Sequence, residues 1–193
     1  TVGSGVYEVF RTNKTSIDKK VGQELRVQYV LDLREFPGDP VMDVLTHDFE
    51  DILNDDEVKI VAEVMGGLHP AYEFTRRCLE AGKSVCTSNK ELVAEHGAEL
   101  IQIAKDHQVN YLFEASVGGG IPIIRPLNSS LTADVIVEIS GILNGTTNYM
   151  LTKMSREGLN YDDVLKEAQA KGYAELHPEA DVEGWDACRK IAI

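Results

Sequence analysis

Cysteine is scarce in this sequence, and its few copies form no recognisable pattern. The 193 residues include three cysteines, Cys78, Cys86 and Cys188, with no Cys-x-x-Cys pair among them. A disulfide framework or a structural zinc site is therefore not expected, and a reducing compartment is favoured. No apolar run approaches the roughly 18 residues that span a bilayer. The opening stretch, TVGSGVYEVF, also lacks the basic start and apolar centre of a signal peptide. We therefore expect a cytoplasmic protein with no membrane partner.

Positive charge is the second shortage. The chain carries 19 lysine and arginine residues against 32 aspartate and glutamate residues, for a formal net charge of −13. Proteins that bind nucleic acid neutralise its phosphates with lysine and arginine, so no nucleic-acid partner is expected. Hydrophobic residues make up 43% of the chain, which is enough for a packed core rather than a disordered segment.

Apolar runs rich in β-branched and aromatic residues alternate with helical patterns in the first part of the chain. The patterns predict strands at 26–33, 58–64, 83–88 and 110–115, with helices at 67–82 and 89–108. Strands and helices that alternate at this interval are typical of an α/β fold with a Rossmann-like doubly wound sheet.

The pattern changes after residue 114. A longer apolar run at 134–143 predicts a strand of a different sheet, and helical patterns follow at 145–157, at 161–171 and from 181 to the end. We therefore predict two domains, a dinucleotide-binding domain over 1–113 and an α+β substrate and dimerisation domain over 114–193. We expect both to be incomplete, the first at its N-terminus and the second at its C-terminus.

Glycines mark two candidate ligand sites. In TVGSG, Gly3 could belong to an ordinary helix entry, or it could be the last glycine of a dinucleotide fingerprint beside a pyrophosphate. In the second case Asp32 would meet the ribose, and Arg34 could meet a 2′-phosphate, which leaves NAD and NADP both open. The run 118–120, within FEASVGGGIPIIRPL, could approach a phosphate, a metal ion, a substrate or another helix.

Charged residues late in the chain suggest a catalytic cluster. Asp186 and Lys190 are i, i+4 neighbours on the last helix, and Trp185, Cys188 and Ala192 are expected to form its core-facing stripe. An exposed ion pair of this spacing is common and carries no function by itself. Carboxylates that converge on a lysine could instead bind a substrate ammonium group and shift the proton affinity of the lysine. The two further candidates upstream are Glu175 and Asp181.

A second lysine lies where a strand ends and a helix begins. In TSNKEL, Lys90 occupies the position at which ligands of open α/β sheets gather, although a solvated lysine is the alternative. Cys86, in the strand just before it, is expected to be a small buried residue rather than a nucleophile.

Four separated motifs occur along the chain in one order: TSNKELVAEHG, FEASVGGGIPIIRPL, GILNGTTNYML, and AKGYAE followed by ADVEGWDACRK. Together they resemble homoserine dehydrogenase from residue 1 to residue 193. The resemblance implies an oxidoreductase that interconverts L-homoserine and L-aspartate 4-semialdehyde with NADP or NAD, on the route to threonine and methionine. It also implies a homodimer or homotetramer. The extent differs from the family, because the first strand and the C-terminal portion are absent.

The resemblance also assigns roles to single residues. It makes Lys190 the proton donor and places Lys90 between the cofactor and the substrate. Glu175 and Asp186 match the carboxylates that hold homoserine. The matches to cofactor-binding positions are Thr1, Val2, Gly3 and Gly172. The glycine run matches a loop that wraps a monovalent cation, usually sodium, whose ligands correspond to Glu114, Val117, Gly119 and Ile121.

Two other functions remain open. One is a different Rossmann-fold dehydrogenase that uses a cysteine thiolate, which would require a reactive Cys86 or Cys188. The other is a non-catalytic fragment that binds a nucleotide or dimerises, because half of the dinucleotide fingerprint is missing from the sequence.

Overall fold

The computed structural model describes residues 2–193, so Thr1 lies outside the described part of the chain. The chain divides into two compact units, and each is described here by itself. Unit 1 contains Thr1–Asn89 and Ala98–Leu112, and unit 2 contains Lys90–Gly97 and Phe113–Ile193. The assignment of 1–113 and 114–193 to separate functional domains stays a prediction.

Unit 1 is built on parallel strands. Strands β3 (Ile60–Glu63), β4 (Ser84–Thr87) and β5 (Tyr111–Leu112) form a parallel sheet in that order, with Val61 opposite Val85 and Cys86 opposite Leu112. Strands β1 (Val30–Leu31) and β2 (Leu45–Thr46) form a second parallel pair. The α/β class and the four predicted strand positions are confirmed, although each strand is shorter than its apolar run.

Helices accompany these strands. They are α1 (Val2–Thr12), α2 (Lys14–Val21), α3 (Phe49–Leu53), α4 (Ala71–Glu80) and α5 (Lys90–Asp106), the last of which begins in unit 2 and continues into unit 1. The helices α3 and α4 bury apolar side chains such as Phe49, Ile52 and Leu79, whereas α1 and α2 bury none of their residues. Asp48 caps α3 by accepting the backbone N–H of Glu50, and Gly82, with φ at 75°, follows the end of α4. The buried apolar side chains of unit 1 include Cys78, Leu79, Val85, Leu100 and Tyr111.

Unit 2 is helical. After the start of α5 it contains α6 (Ile124–Ser130), α7 (Gly145–Glu157), α8 (Tyr161–Ala170), α9 (Glu179–Val182) and α10 (Trp185–Ala192). Its core consists of Met150, Val164, Ala168 and Ala174. Over residues 2–193, the structure contains no helix that is both long and apolar enough to cross a membrane.

The strand predicted at 134–143 does not form, so this prediction was wrong. The segment has no strand partner in the described chain, and Val135 and Val137 are almost fully exposed. An apolar β-branched run favours extended backbone, but it becomes a strand only where another strand offers hydrogen bonds. No described segment of unit 2 supplies such an edge.

Candidate active site

The first turn of α10 buries a carboxylate between two lysine amines. Asp186 is 6% exposed, and its Oδ2 lies 2.7 Å from the Nζ of Lys190, one turn further along the helix. Its other oxygen, Oδ1, pairs with the Nζ of Lys90 from the start of α5. The structure therefore brings together three residues that are predicted to act in catalysis or substrate binding. Lys190 also donates a hydrogen bond to the carbonyl of Leu143 at 2.9 Å.

Asn144 completes this cluster, and the sequence reasoning missed it. Its amide Nδ2 donates to Asp186 Oδ2 at 2.9 Å and to Asp181 Oδ1 at 2.7 Å, so that one side chain joins two predicted carboxylates. Its Oδ1 accepts the backbone N–H of Thr147 at 2.8 Å, which caps α7. An asparagine directly before a helical pattern is the signal of an N-cap, and it could have marked this position.

The charge balance of the cluster favours an ionised carboxylate. Burial alone would raise the pKa of Asp186, but hydrogen bonds from Lys190, Lys90 and Asn144 outweigh it and lower the pKa to about 2. The side chains of Lys190 and Lys90 are 19% and 29% exposed, so both amines lie at the boundary between protein and solvent. A carboxylate anchored in this way can hold an ammonium group in place while that group exchanges a proton with a ligand.

The segment 171–176 carries two further predicted residues. Gly172 follows α8 with φ at 73°, a left-handed conformation that favours glycine. The hydroxyl of Thr146 donates to the carbonyl of Tyr173 at 2.7 Å, which ties this segment to the start of α7. The carboxylate of Glu175 is exposed and joins no hydrogen bond or ion pair within residues 2–193, so the structure does not bring it into the cluster.

The predicted face of the last helix was wrong. Trp185, expected to point into the core, is 58% exposed, and Cys188 and Ala192 are also exposed, while Asp186 is buried. Periodicity places residues on common faces but does not say which face is covered. Here the ion pairs of Asp186 decide the orientation, because a carboxylate compensated by two amines can be buried.

Unit 1 contains a cleft of about 1010 Å³ at the entrance to α1. Its lining includes Val2, Gly3, Asp32, Arg34 and Val64. A Cβ atom on Gly3 would lie 3.3 Å from Cγ2 of Val64, so the helix start and the chain after β3 approach closely at this glycine. This geometry agrees with the close helix–strand packing that a dinucleotide fingerprint requires. The predicted contact of Thr1 lies outside the described residues.

At the rim of the cleft, the two side chains that could select a cofactor bind each other. Arg34 donates from Nε and from a terminal nitrogen to the two oxygens of Asp32, at 3.0 and 2.8 Å. This side-chain pairing, with the backbone N–H of Arg34, lowers the pKa of Asp32 to about 2. The two side chains that could distinguish NAD from NADP, by contacting a ribose hydroxyl or a 2′-phosphate, are therefore paired with each other.

The glycine run in unit 2 is preceded by a carboxylate with a structural task. Glu114 accepts the backbone N–H groups of Ile123, Ile124 and Arg125, at 2.9 Å for Ile124 and 2.7 Å for Arg125, and so caps α6. These hydrogen bonds, that of Arg125 first, lower the pKa of the carboxyl. A Cβ on Gly118 would lie 2.9 Å from the carbonyl oxygen of Ile121, so the loop bends tightly there. Within residues 2–193, no group of three or more His, Cys, Asp or Glu side chains could hold a metal ion. Backbone carbonyls would therefore have to supply most ligands of a cation here.

The cysteines do not favour a thiolate mechanism. Burial raises the pKa of the Cys86 thiol, which makes the reactive thiolate rarer at neutral pH. Cys188 lies exposed on α10.

Comparison with known proteins agrees with these features. A family model described as homoserine dehydrogenase, NAD binding domain, matches residues 1–114, and one described as homoserine dehydrogenase matches residues 122–193. The chain is 43% identical over 196 residues to homoserine dehydrogenase of Bacillus subtilis, with 100% of this chain and 45% of that protein covered. The chain thus spans less than half the length of this curated relative.

Solved structures show the same similarity. A homoserine dehydrogenase from Thiobacillus denitrificans superposes with a TM-score of 0.86 at 42% identity, covering 98% of this chain and 44% of that chain. A hyperthermophilic archaeal homoserine dehydrogenase in complex with NADPH superposes with a TM-score of 0.72 at 29% identity, covering 94% of this chain and 52% of that one.

Proposed function

Because the chain belongs to the homoserine dehydrogenase family, we propose that it carries the cofactor site and the catalytic lysines of an enzyme that interconverts L-homoserine and L-aspartate 4-semialdehyde with NAD(P)(H). The reaction would serve threonine and methionine biosynthesis. The observation that carries the proposal is the cluster in which Asp186 holds the amines of Lys190 and Lys90. Reduction of a carbonyl by hydride requires a proton donor at the substrate oxygen, and an anchored carboxylate can orient such a donor.

The proposed mechanism assigns the proton to Lys190. A nicotinamide cofactor held in the unit 1 cleft, beside Val2 and Gly3, would supply the hydride in the reducing direction and accept it in the oxidising direction. Lys190 donates its proton to the substrate oxygen in the reducing direction and takes it back in the oxidising direction. Asp186 orients the Lys190 amine, and it also holds Lys90, which positions the reacting groups. Asp186 and Asp181, which Asn144 joins, hold the substrate ammonium group, whereas Glu175 lies outside that cluster and is assigned to the substrate by the family resemblance alone.

The cofactor contacts are also part of the proposal. Val2 and Gly3 line the cleft at the start of α1, and Arg34 lies at its rim. We assign the pyrophosphate to the helix start, where unpaired N–H groups and the helix dipole favour an anion. The family resemblance also assigns cofactor contacts to Gly172 and Lys90, and we include both residues in the proposal.

The direct test is an assay of the full-length protein in both directions. We expect NADPH or NADH oxidation with L-aspartate 4-semialdehyde, and reduction of NADP⁺ or NAD⁺ with L-homoserine. L-serine, which is one methylene shorter, serves as the matched control and should react far more slowly. A full-length protein that binds the cofactor but turns over neither substrate would contradict the enzyme and support the non-catalytic alternative.

We further propose that a monovalent cation, sodium in the first instance, binds the loop with the carbonyls of Val117, Gly119 and Ile121 beside Glu114. The tight bend at Gly118 supports this site, because bent backbone can turn successive carbonyls toward one point, and hard cations prefer oxygen. The carboxylate of Glu114 already accepts three backbone N–H groups. We therefore expect it to attract the cation mainly through its negative charge rather than by direct coordination.

This proposal predicts a change in cation dependence. In Glu114→Gln one side-chain oxygen can still accept at the start of α6, but the amide NH2 group replaces the other acceptor and the charge is lost, so activity should respond less to sodium than the wild type does. Activity is compared in sodium, potassium and choline chloride at equal ionic strength, with Glu95→Gln, at an exposed position of α5, as the control. If the wild type depends on sodium and Glu114→Gln keeps the same dependence, the assignment of Glu114 to the cation is wrong.

The family resemblance also leads us to propose a homodimer or homotetramer in the cytoplasm. The segment 134–143 exposes several large apolar side chains, which supports the proposal that another part of the assembled protein covers it. Light scattering of the full-length protein would measure the mass of the assembly, and a monomeric mass would contradict this proposal.

A further inference from the structure

A second buried carboxylate lies in unit 1, at the carboxyl end of β3. Glu63 is 4% exposed, and its Oε1 accepts the backbone N–H of Met65 at 2.7 Å. Its Oε2 accepts the hydroxyl hydrogen of Thr87, at the end of the neighbouring strand β4. The mechanism proposed above does not use this residue.

Thr87 extends the connection to the segment that follows β4. Its Oγ1 accepts the backbone N–H of Asn89 at 2.9 Å, and the Asn89 side chain donates to the carbonyl of Gly67 at 2.7 Å. These hydrogen bonds close a ring that we call the Glu63 cluster. Its members are Glu63, Met65, Gly67, Thr87 and Asn89. The ring joins the segment after β3 to the segment after β4, so neither can shift without breaking a buried hydrogen bond.

Burying this carboxylate opposes folding rather than supporting it. Burial raises the pKa of Glu63, while the hydrogen bonds from Thr87, Met65 and Asn89 compensate only in part. No lysine, arginine or histidine within residues 2–193 forms an ion pair with it. An aliphatic side chain at this position would avoid the desolvation cost, but it could not hold the two segments together.

The location of the cluster indicates what it positions. Ligands of parallel α/β sheets bind beyond the carboxyl ends of the strands, where both segments lie. Val64 and Met65, directly after Glu63, line the same cleft as Gly3 and Arg34. Glu63 is not itself a lining residue of the cleft, but it accepts the backbone N–H of Met65, which is one. The carboxylate therefore fixes the position of this part of the cleft wall.

We propose that Glu63 is a positioning residue of the cofactor cleft, which acts with Thr87 to hold the Val64–Gly67 backbone in the shape that receives the nicotinamide dinucleotide. This inference rests on the proposed function, because it requires the cleft to bind NAD(P)(H). Glu63 itself touches neither the substrate nor the reacting atoms in this account.

Two buried threonines of unit 1 provide a matched test. Thr87 is 3% exposed and its hydroxyl links Glu63 to Asn89, whereas Thr75 is 2% exposed and its hydroxyl has no hydrogen-bond partner in the described chain. In the full-length protein, Thr87→Val should weaken NADPH binding by about tenfold, the order expected for a buried hydrogen-bonding link, and Thr75→Val should leave it unchanged. Binding is titrated by fluorescence, and unfolding temperatures are measured without cofactor.

Kinetics separate positioning from a merely structural role. Thr87→Val should raise KM for the cofactor while kcat at saturating cofactor stays within about twofold of wild type, and Thr87→Ser, which keeps the hydroxyl, should restore binding. If Thr87→Val does not fold, Glu63→Leu replaces it, because an aliphatic side chain accepts neither the Met65 N–H nor the Thr87 hydroxyl, and its NADPH binding should be weaker than that of Thr75→Val.

The outcomes distinguish the two proposals. Wild-type protein that binds NADPH while Thr87→Val and Glu63→Leu bind it as tightly as Thr75→Val would overturn the positioning role and leave the proposed function intact. Wild-type protein that binds neither NADPH nor NADH would overturn both.

Discussion

Asp186 in unit 2 and Glu63 in unit 1 are both buried carboxylates, but their neighbours differ in kind. Asp186 is held by two lysine amines, and despite its burial its pKa is lowered to about 2. Glu63 has only neutral donors, and burial raises its pKa. The carboxylate of Asp186 therefore orients two charged amines in unit 2, whereas the carboxylate of Glu63 holds the backbone of Met65 in place in unit 1. The partners, not the residue type, determine which task a buried carboxylate performs.

The largest effect is expected from the charged cluster. Lys190→Met in the full-length protein removes the proposed proton donor, so kcat should fall by about 10²–10⁴-fold, the usual contribution of a general acid. Cofactor binding, titrated by fluorescence, should stay near the wild-type value. Lys166→Met, which removes an exposed lysine of α8, is the control and should have little effect.

An unchanged kcat in Lys190→Met would remove the functional difference between the Asp186 cluster and the Glu63 cluster. If Lys190→Met keeps kcat within a few-fold of wild type and mainly raises KM for homoserine, the Asp186 cluster would also be a positioning device. The proton would then belong to Lys90 or to water, and Lys90→Met would decide between these two.

The two carboxylates should also affect folding with opposite dependence on pH. The folded-state pKa of Asp186 is lowered, so its contribution is complete above the usual value of 3.8 and is lost as pH falls toward about 2. The folded-state pKa of Glu63 is raised, so it costs stability as pH rises above its usual value of 4.5. Asp186→Asn should thus destabilise more as pH rises from about 2 to about 4. Glu63→Gln should become less destabilising, or stabilising, as pH rises above that range.

Urea unfolding of both variants from about pH 2 to neutral pH covers the windows of both carboxylates and measures the two slopes. At neutral pH we expect Asp186→Asn to cost about 3 kcal/mol, the lower end for breaking a buried ion pair, because both amines are partly exposed. Asp134→Asn, at an exposed position, is the control. Slopes of equal sign for the two variants would contradict the electrostatic difference between the clusters.

Asp32 offers a third case, an acidic residue paired with a cation at a more exposed place, and the smallest effect is expected there. If Arg34 exchanges its pairing with Asp32 for a 2′-phosphate, Arg34→Ala should raise KM for NADP by about tenfold, as for the loss of a charge-assisted hydrogen bond. KM for NAD should change little. Arg76→Ala, which removes an exposed arginine of α4, is the control. Equal weakening of both cofactors would show that Arg34 has only a structural role.

Local patterns in the sequence were sufficient for most elements of regular structure. The run that predicts a helix at 89–108 forms α5, and the pattern at 145–157 forms α7 with the predicted bounds. These predictions succeed because helix periodicity, caps and β-branched runs act over a few residues. The short strand β2 and the helices α2, α3 and α6 were not predicted.

The sequence by itself determined the α/β class, the positions of four strands and of the helices between the last three of them and, through its motifs, the family. It did not determine which face of α10 is buried, that 134–143 stays unpaired, or that Asn144 and Glu63 join residues far apart in the chain. Only the tertiary structure decided these points. Burial, strand pairing and side-chain hydrogen bonds depend on partners brought close by folding, whereas helix and strand periodicity depends on neighbours in the chain.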